Sequence, residues 1–192
     1  MAAEDYKIKF GLLSGKSGKV SKKEVYYSIP KNIKGTYTGE INDGKFHGNG
    51  TLILKTGDTY IGEFQYGKKH GKGKYSLASG DDYIGDWIED KKDGKGIYSW
   101  ISGTLYDGDW RDNCMHGKGK FTWPDGRVYE GDWIEDMMTG KGTMIYADGR
   151  KYNGEWVNDK RHGTGSLYDA DGSVIESGKW IGGSINSDES DS

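Results

Sequence analysis

Apolar and charged residues alternate along most of this chain. Tyr106, Gly108 and Trp110 fall on one side of the alternation, and Asp107 and Asp109 stand between them. A period of two is typical of a β-strand that has one covered face and one solvated face. Nothing in this stretch has the 3.6-residue period of a helix. The pattern therefore predicts strands, each with a single apolar side.

The same pattern recurs every 23 residues. The six full repeats start at Tyr37, Tyr60, Tyr83, Tyr106, Tyr129 and Tyr152, and a partial seventh follows with Gly178, Trp180 and Gly183. With the starting tyrosine as position 0, glycine fills positions 2, 11, 13 and 20 in all six full repeats, and position 3 is always acidic. Positions 0–4 and 15–17 predict two strands, with the Gly-x-Gly at positions 11–13 in the connection between them. Segments such as Pro124–Gly126 then predict a turn to the next repeat.

The glycine at position 2 stands between two aromatic positions. Because glycine has no Cβ, it leaves a hollow on the strand into which a neighbouring ring can lie flat. A single sheet can then bury aromatic area against itself without a second layer. We therefore predict an all-β fold, an elongated single-layer antiparallel β-meander that forms a solenoid of 23-residue β-hairpin repeats.

The pattern Y-x-G-x-W-x-x-x-x-x-H-G-x-G resembles the MORN (membrane occupation and recognition nexus) repeat, over residues 37 to about 183. The resemblance implies a scaffold with an aromatic-lined groove, notably in cilia, axonemes and other cytoskeletal assemblies. Some members of the family are linked to phosphoinositides, and the proteins of ciliary radial spoke heads are the most similar in character. The first two repeats depart from the pattern because they lack tryptophan at position 4, and Asp93 and Thr139 replace the histidine.

Composition narrows the class of protein. Of 192 residues, 33 are glycine and 13% are aromatic, which disfavours both a helical enzyme and a disordered chain. No apolar run reaches the length of a membrane span, about 20 residues. The single cysteine, Cys114, fits a reducing compartment, so a cytoplasmic location is expected.

The ends differ from the array of residues 37–183. Residues 1–36 are basic, and two alternating stretches, Tyr6–Phe10 and Val25–Ile29, are expected to add strands that cap the first edge. Residues 184–192 are acidic and rich in serine, and they are expected to be disordered. Open sheet edges would also allow end-to-end pairing of copies of the chain.

The sequence gives little evidence of a catalytic site or a metal site. The histidines all occupy position 10 of different repeats, about 10 Å or more apart, whereas ligands of one zinc ion lie within about 2.1 Å of it. Gly11–Ser17 resembles a phosphate loop but is one residue short between its glycines. No enzyme activity, metal or cofactor is therefore expected. The body of the chain is net negative, so no nucleic-acid partner is expected either.

Two binding modes are expected from the repeats. The first is a groove for a protein partner, a helix or an extended segment. Its candidate residues are Trp87, Trp100, Trp110, Trp123, Trp133, Tyr146, Met115, Met137 and Met138. The methionines are included because positions 8 and 9, which are basic or mixed in the other repeats, are apolar in the fourth and fifth repeats. This change predicts an apolar contact patch.

The alternative is a peripheral membrane module that binds anionic headgroups through one lysine-rich margin. Its candidate residues are Lys68, Lys69, Lys72, Lys91, Lys92, Lys95 and Lys118. An acidic row at position 3 would accompany them as a solvated row that limits edge aggregation.

Overall fold

The computed structural model describes residues 28–29 and 33–186. Within these residues the chain forms one antiparallel sheet whose strands lie in sequence order. The strands are β1 (Ser28–Ile29), β2 (Ile33–Asn42), β3 (Lys45–Leu54), β4 (Thr59–Gln65), β5 (Lys68–Ser76), β6 (Asp82–Ile88), β7 (Lys91–Ser99), β8 (Leu105–Arg111), β9 (Cys114–Thr122), β10 (Val128–Ile134), β11 (Met137–Ile145), β12 (Lys151–Val157), β13 (Lys160–Tyr168), β14 (Val174–Ile181) and β15 (Ser184–Ile185). The predicted single-layer β-meander is confirmed.

Each repeat folds as a hairpin with a two-residue turn at positions 6 and 7. In the fourth repeat, Asp112 and Asn113 have φ values of 49° and 75°. Positive φ at both central residues is the geometry that the twist of paired strands favours in a short hairpin. The turns between repeats use glycine at position 20, and Gly126 has a φ of 90°. Within the six full repeats the chain thus reverses after each strand.

The Gly-x-Gly segment does not connect the two strands, so that prediction was wrong. The turn ends at Asn113, and β9 already contains Gly117 and Gly119. Gly117 has a φ of 58°, and the register shifts opposite the step from Gly108 to Asp109. The first glycine therefore forms a β-bulge inside the strand, where positive φ is required.

An unbroken row of paired glycines crosses the sheet. Gly108 pairs with Gly96 on one side and Gly119 on the other, and the same register recurs in each repeat. The row consists of Gly39, Gly50, Gly62, Gly73, Gly85, Gly96, Gly108, Gly119, Gly131, Gly142, Gly154, Gly165 and Gly178. Because these residues face each other directly, the row forms one continuous channel along the sheet.

The position-0 tyrosines fill this channel. A Cβ built on Gly108 would stand 2.6 Å from the Tyr106 hydroxyl oxygen and 2.5 Å from the Cα of Gly119. The Tyr106 hydroxyl donates a hydrogen bond to the Asp109 carbonyl at 2.9 Å. All six position-0 tyrosines are at most 2% exposed. The expected packing of rings on glycine is therefore present in every repeat.

Tryptophan at position 4 joins each repeat to the one before it. The indole N–H of Trp110 donates to the carbonyl of Gly96 at 3.0 Å, and its ring meets Tyr106 and Tyr83 edge-on. Trp133 makes the same bond to Gly119 at 3.2 Å. The second repeat has Phe64 instead, which packs against Tyr37 and Tyr60. Core contacts thus run between neighbouring repeats, as in other solenoids.

The predicted end segments lie partly outside the described residues. Tyr6–Phe10 and the start of Val25–Ile29 are among the residues not described, and so are residues 187–192. Ser28 and Ile29 form β1, which pairs with the start of β2. Ser184 and Ile185, assigned from sequence to the acidic tail, instead pair with the end of β14. End-to-end pairing through the sheet edges stays a prediction.

Gly108→Val tests the packing of rings on glycine. The new side chain would collide with Gly119 and Tyr106, so we expect a loss of about 1–3 kcal/mol in the free energy of unfolding. The control is Asp107→Val, which places the same side chain on an exposed neighbouring residue and should cost less than about 0.5 kcal/mol. Chemical denaturation of both variants measures the difference. Equal stabilities would contradict the packing model.

The buried tyrosines predict loss of stability at high pH. Burial raises the pKa of Tyr37 and of Tyr152 to about 12, and it raises the pKa of Tyr60, Tyr83 and Tyr106 as well. Unfolded tyrosines ionise near pH 10, so their stabilising contribution is complete below about pH 10 and is lost above it.

We therefore expect the Tm to fall steeply between about pH 10 and pH 12, with tyrosinate absorbance rising together with unfolding. Burial also lowers the pKa values of Lys69 and Lys92. Because of these two lysines the stability increases with pH, but only up to about pH 10.5, which is the pKa of an unperturbed lysine. A Tm that stays constant to pH 12 would show that the rings are accessible in the native state.

Candidate functional site

The two faces of the sheet carry different chemistry. Positions 0, 4, 9 and 15 lie on one side and hold the buried aromatic cluster, which we call the ring face. Positions 3, 8 and 12 point to the other side, which we call the polar face. This division follows from strand alternation: Trp110 pairs with Met115, whereas the next pair, Arg111 with Cys114, points the opposite way.

The acidic residue at position 3 has a structural task on the polar face. Asp109 Oδ2 accepts a hydrogen bond from the bulged backbone N–H of Lys118 at 2.9 Å, and its Oδ1 lies 2.5 Å from the Lys95 ammonium. Although partial burial raises the pKa of Asp109, these two donors hold it below its usual value. The acidic residue accepts the bulge N–H in the first five repeats and links the third, fourth and fifth repeats to the one before, so the row is not only solvated.

The lysines do not form one margin, so that part of the lipid hypothesis needs correction. Strand alternation places Lys69 and Lys92 on the ring face and the other candidates on the polar face. Those on the polar face are each paired with a carboxylate. The pairs are Lys68–Glu89, Lys91–Asp112, Lys72–Asp86, Lys95–Asp109 and Lys118–Asp132, at 2.5–2.9 Å.

The structure separates the aromatic candidates into two groups. Trp87, Trp110 and Trp133 are only 3–5% exposed and support the sheet. Trp100, Trp123 and Tyr146, all at position 17, are only partly buried and pack against that core from the side. An accessible strip of rings therefore overlies a fixed aromatic layer.

The rings of this strip contact one another across repeats. The centroids of Tyr98 and Trp100 are 4.4 Å apart, those of Trp100 and Phe121 are 5.5 Å apart, and those of Phe121 and Trp123 are 4.5 Å apart. Arg127 lies 5.0 Å from the Trp123 centroid and is held there by its ion pair with Asp125 at 2.8 Å. The strip is thus continuous through the third and fourth repeats.

The methionines predicted to form one patch lie on both faces. Met138 is 8% exposed and belongs to the core, and Met115 is partly buried against it. Met137 pairs with Ile134 and points to the polar face. The physical reason is again alternation, because positions 8 and 9 are adjacent in one strand.

Two ring-face lysines were not predicted as part of the groove. The Lys69 ammonium lies 4.2 Å from the Trp87 ring centroid, and that of Lys92 lies 3.8 Å from the Trp110 centroid. Sequence analysis grouped both with the solvated loop lysines. Phe46, which takes position 9 in the first repeat, was the available signal that this position faces the rings.

Metal-binding and membrane-spanning features are not evident in the part of the chain that the structure describes. Its histidine, cysteine and carboxylate side chains form no group of three able to hold a metal ion. No helix of the described residues is long and apolar enough to cross a membrane.

Fold and site together define a repeat protein of stacked 23-residue hairpins with one aromatic face. The family model of the MORN repeat matches residues 37–59, 60–82, 83–105, 106–126, 129–149 and 152–174. The chain therefore belongs to the MORN repeat family.

The solved structures that are similar to this chain include domains from two organisms. The TCP domain of SAS-4 (dCPAP) from Drosophila melanogaster, in complex with a proline-rich motif of Ana2 (dSTIL), is 14% identical over 88% of this chain and 97% of that chain, with a TM-score of 0.48. The wild-type TCP10 domain of Danio rerio CPAP is 15% identical over 81% of this chain and 66% of that chain, with a TM-score of 0.37. No curated protein matches the chain in sequence.

Proposed function

We propose that this protein is a non-catalytic scaffold that binds a protein partner on its ring face. The observation that supports this most is the strip of partly exposed rings formed by Trp100, Trp123 and Tyr146. A single-layer sheet has no second layer to cover these rings, and exposed apolar strips on monomers commonly mark interaction sites. Tryptophan and tyrosine are also the residues that most often dominate binding energies at interfaces.

The packing beneath the strip suits it for binding. The ring centroids of Phe121 and Trp133 are 5.8 Å apart, and those of Tyr98 and Trp110 are 6.1 Å apart. The partly buried Phe121 and Tyr98 therefore rest on buried rings. Side chains fixed in advance lose little conformational entropy when a ligand arrives. The buried Trp87, Trp110 and Trp133 would then position the contact residues rather than touch the partner themselves.

A ciliary, axonemal or other cytoskeletal setting in the cytoplasm is our expectation for this scaffold. Its support is membership of the MORN repeat family.

The lipid alternative has weaker support in the geometry. A headgroup would meet polar-face lysines whose charges are already balanced by carboxylates at 2.5–2.9 Å. Flotation with vesicles containing anionic lipid, across a series of salt concentrations, distinguishes the two modes. Binding that weakens steeply with salt would favour the membrane mode.

Trp123→Ala tests the ring face. Loss of a partly exposed ring should leave the Tm within a few degrees of the wild type and reduce recovery of the main partner by about tenfold or more. The control is Ile134→Ala, which removes an exposed apolar side chain from the polar face. Affinity purification with quantitative mass spectrometry compares the two. Partners retained at wild-type yield by Trp123→Ala would contradict the proposal.

The methionines provide a second test. Met115→Lys with Met138→Lys places two charges on the ring face, and other repeats already hold lysine at position 9, so folding should survive. Partner recovery should fall several-fold or more because charge would replace apolar contact surface. Met137→Lys adds a charge on the polar face and should leave recovery unchanged. If both variants reduced partner recovery equally, binding would not depend specifically on the ring face.

A further inference from the structure

Position 9 forms a row along the ring face whose chemistry changes between repeats, and in chain order the row holds Phe46, Lys69, Lys92, Met115, Met138 and Arg161. The second and third repeats place Lys69 and Lys92 in this row, and the fourth and fifth place Met115 and Met138. Each pairs across its hairpin with the aromatic residue at position 4 of the same repeat. The four central positions of the row, in the second to fifth repeats, therefore present two cations followed by two apolar side chains on one layer of buried rings.

The two cations lie between rings of consecutive repeats. The Lys92 ammonium is 3.8 Å from the Trp110 centroid and 4.6 Å from that of Tyr98. The Lys69 ammonium is 4.2 Å from the Trp87 centroid and 4.5 Å from that of Tyr75. Ring faces attract ammonium groups, which explains why these long side chains lie down on the sheet.

Neither ammonium has a carboxylate partner within ion-pair distance among the described residues, unlike the lysines at positions 8 and 12 of the same repeats. The carboxylates that attract these two ammonium groups from beyond ion-pair distance already accept other hydrogen bonds. Asp90 accepts the Lys69 backbone N–H at 2.8 Å, Asp136 accepts that of Met115 at 2.7 Å, and Asp58 accepts the Tyr75 hydroxyl at 3.0 Å. Direct ion pairing with Lys69 and Lys92 is therefore left to a ligand.

Partial burial strengthens the ion pair that a ligand carboxylate can form with these ammonium groups. It lowers the pKa of Lys69 and lowers that of Lys92 to about 8, because water no longer fully solvates the charged form. The rings recover part of that loss of solvation. A carboxylate placed beside such an ammonium gains more than it would beside a fully hydrated lysine.

We infer that the groove selects an extended partner segment that carries acidic residues at one end and apolar residues at the other. The acidic side chains lie against Lys69 and Lys92, and the apolar ones lie against Met115, Met138 and the partly buried Trp123. Consecutive repeats are about 10 Å apart, the length of about three extended residues, so side chains that match the row recur about every third residue. This inference rests on the proposed binding function of the ring face.

The test uses two synthetic peptides that share an extended, otherwise polar sequence. The first carries two glutamates about three residues apart, followed at the same spacing by two leucines. The second carries glutamine in place of both glutamates. Fluorescence anisotropy gives the Kd of each labelled peptide for the full chain. We expect the glutamate peptide to bind about tenfold more tightly than the glutamine peptide.

The chain supplies matched variants for this measurement. Lys69→Met with Lys92→Met installs the residue that the fourth and fifth repeats already hold at position 9. This variant should fold, bind both peptides and lose the preference for glutamate. Lys68→Met with Lys91→Met makes the same change of charge one residue away, at position 8 on the polar face. The fifth repeat already has a methionine, Met137, at that position. That control should keep the tenfold preference.

Three results would overturn the inference. A glutamine peptide that binds the wild type as tightly as the glutamate peptide removes the role of charge. If the Lys69→Met/Lys92→Met variant still prefers the glutamate peptide, other residues are responsible for that preference. If neither peptide binds, this ligand chemistry is wrong, whereas the binding function of the ring face is still judged by the Trp123 variant and its own partners.

Discussion

The packing of a tyrosine ring onto a pair of facing glycines is the contact on which this structure depends. Tyr106 covers Gly108 and Gly119, and its hydroxyl reaches the Asp109 carbonyl next to the bulge. A side chain at either glycine would lift the ring, remove that hydrogen bond and expose the aromatic layer. Because the contact recurs in every repeat, it supplies a core to a sheet that has no second layer.

The bulge and the acid at position 3 complete this arrangement. The bulge turns a backbone N–H away from the ladder, and the carboxylate accepts it, as Asp132 does for Lys141. The same carboxylate pairs with Lys118 of the preceding repeat. In the third, fourth and fifth repeats, one side chain therefore binds the backbone of its own hairpin and connects that hairpin with the preceding one.

Sequence alone predicted the repeats, the strand alternation and the packing of rings on glycine, because each depends on local spacing. The bulge was missed, since the same Gly-x-Gly is compatible with a connecting loop until the register of β8 and β9 is known. The site was predicted only in outline. The aromatic candidates could be named from the sequence, but the faces of Lys69 and Met137 could not be assigned while positions 8 and 9 were taken as part of a loop. The register of the hairpin, in which Trp110 pairs with Met115, places these positions inside a strand.

The indole bond from each repeat to the one before it has a mechanical consequence. Trp110 and Trp133 bind carbonyls of the preceding hairpin, and the ladder bonds between strands run in the same direction, along the length of the ribbon. Tension applied along that length bears on all rows of these bonds in series, and one row can break without disturbing the rest because each repeat touches only its neighbours. A terminal hairpin would then peel away while the remaining repeats keep their packing. Under load the ribbon would lengthen in steps of one hairpin and behave as an extensible spacer rather than a rigid rod.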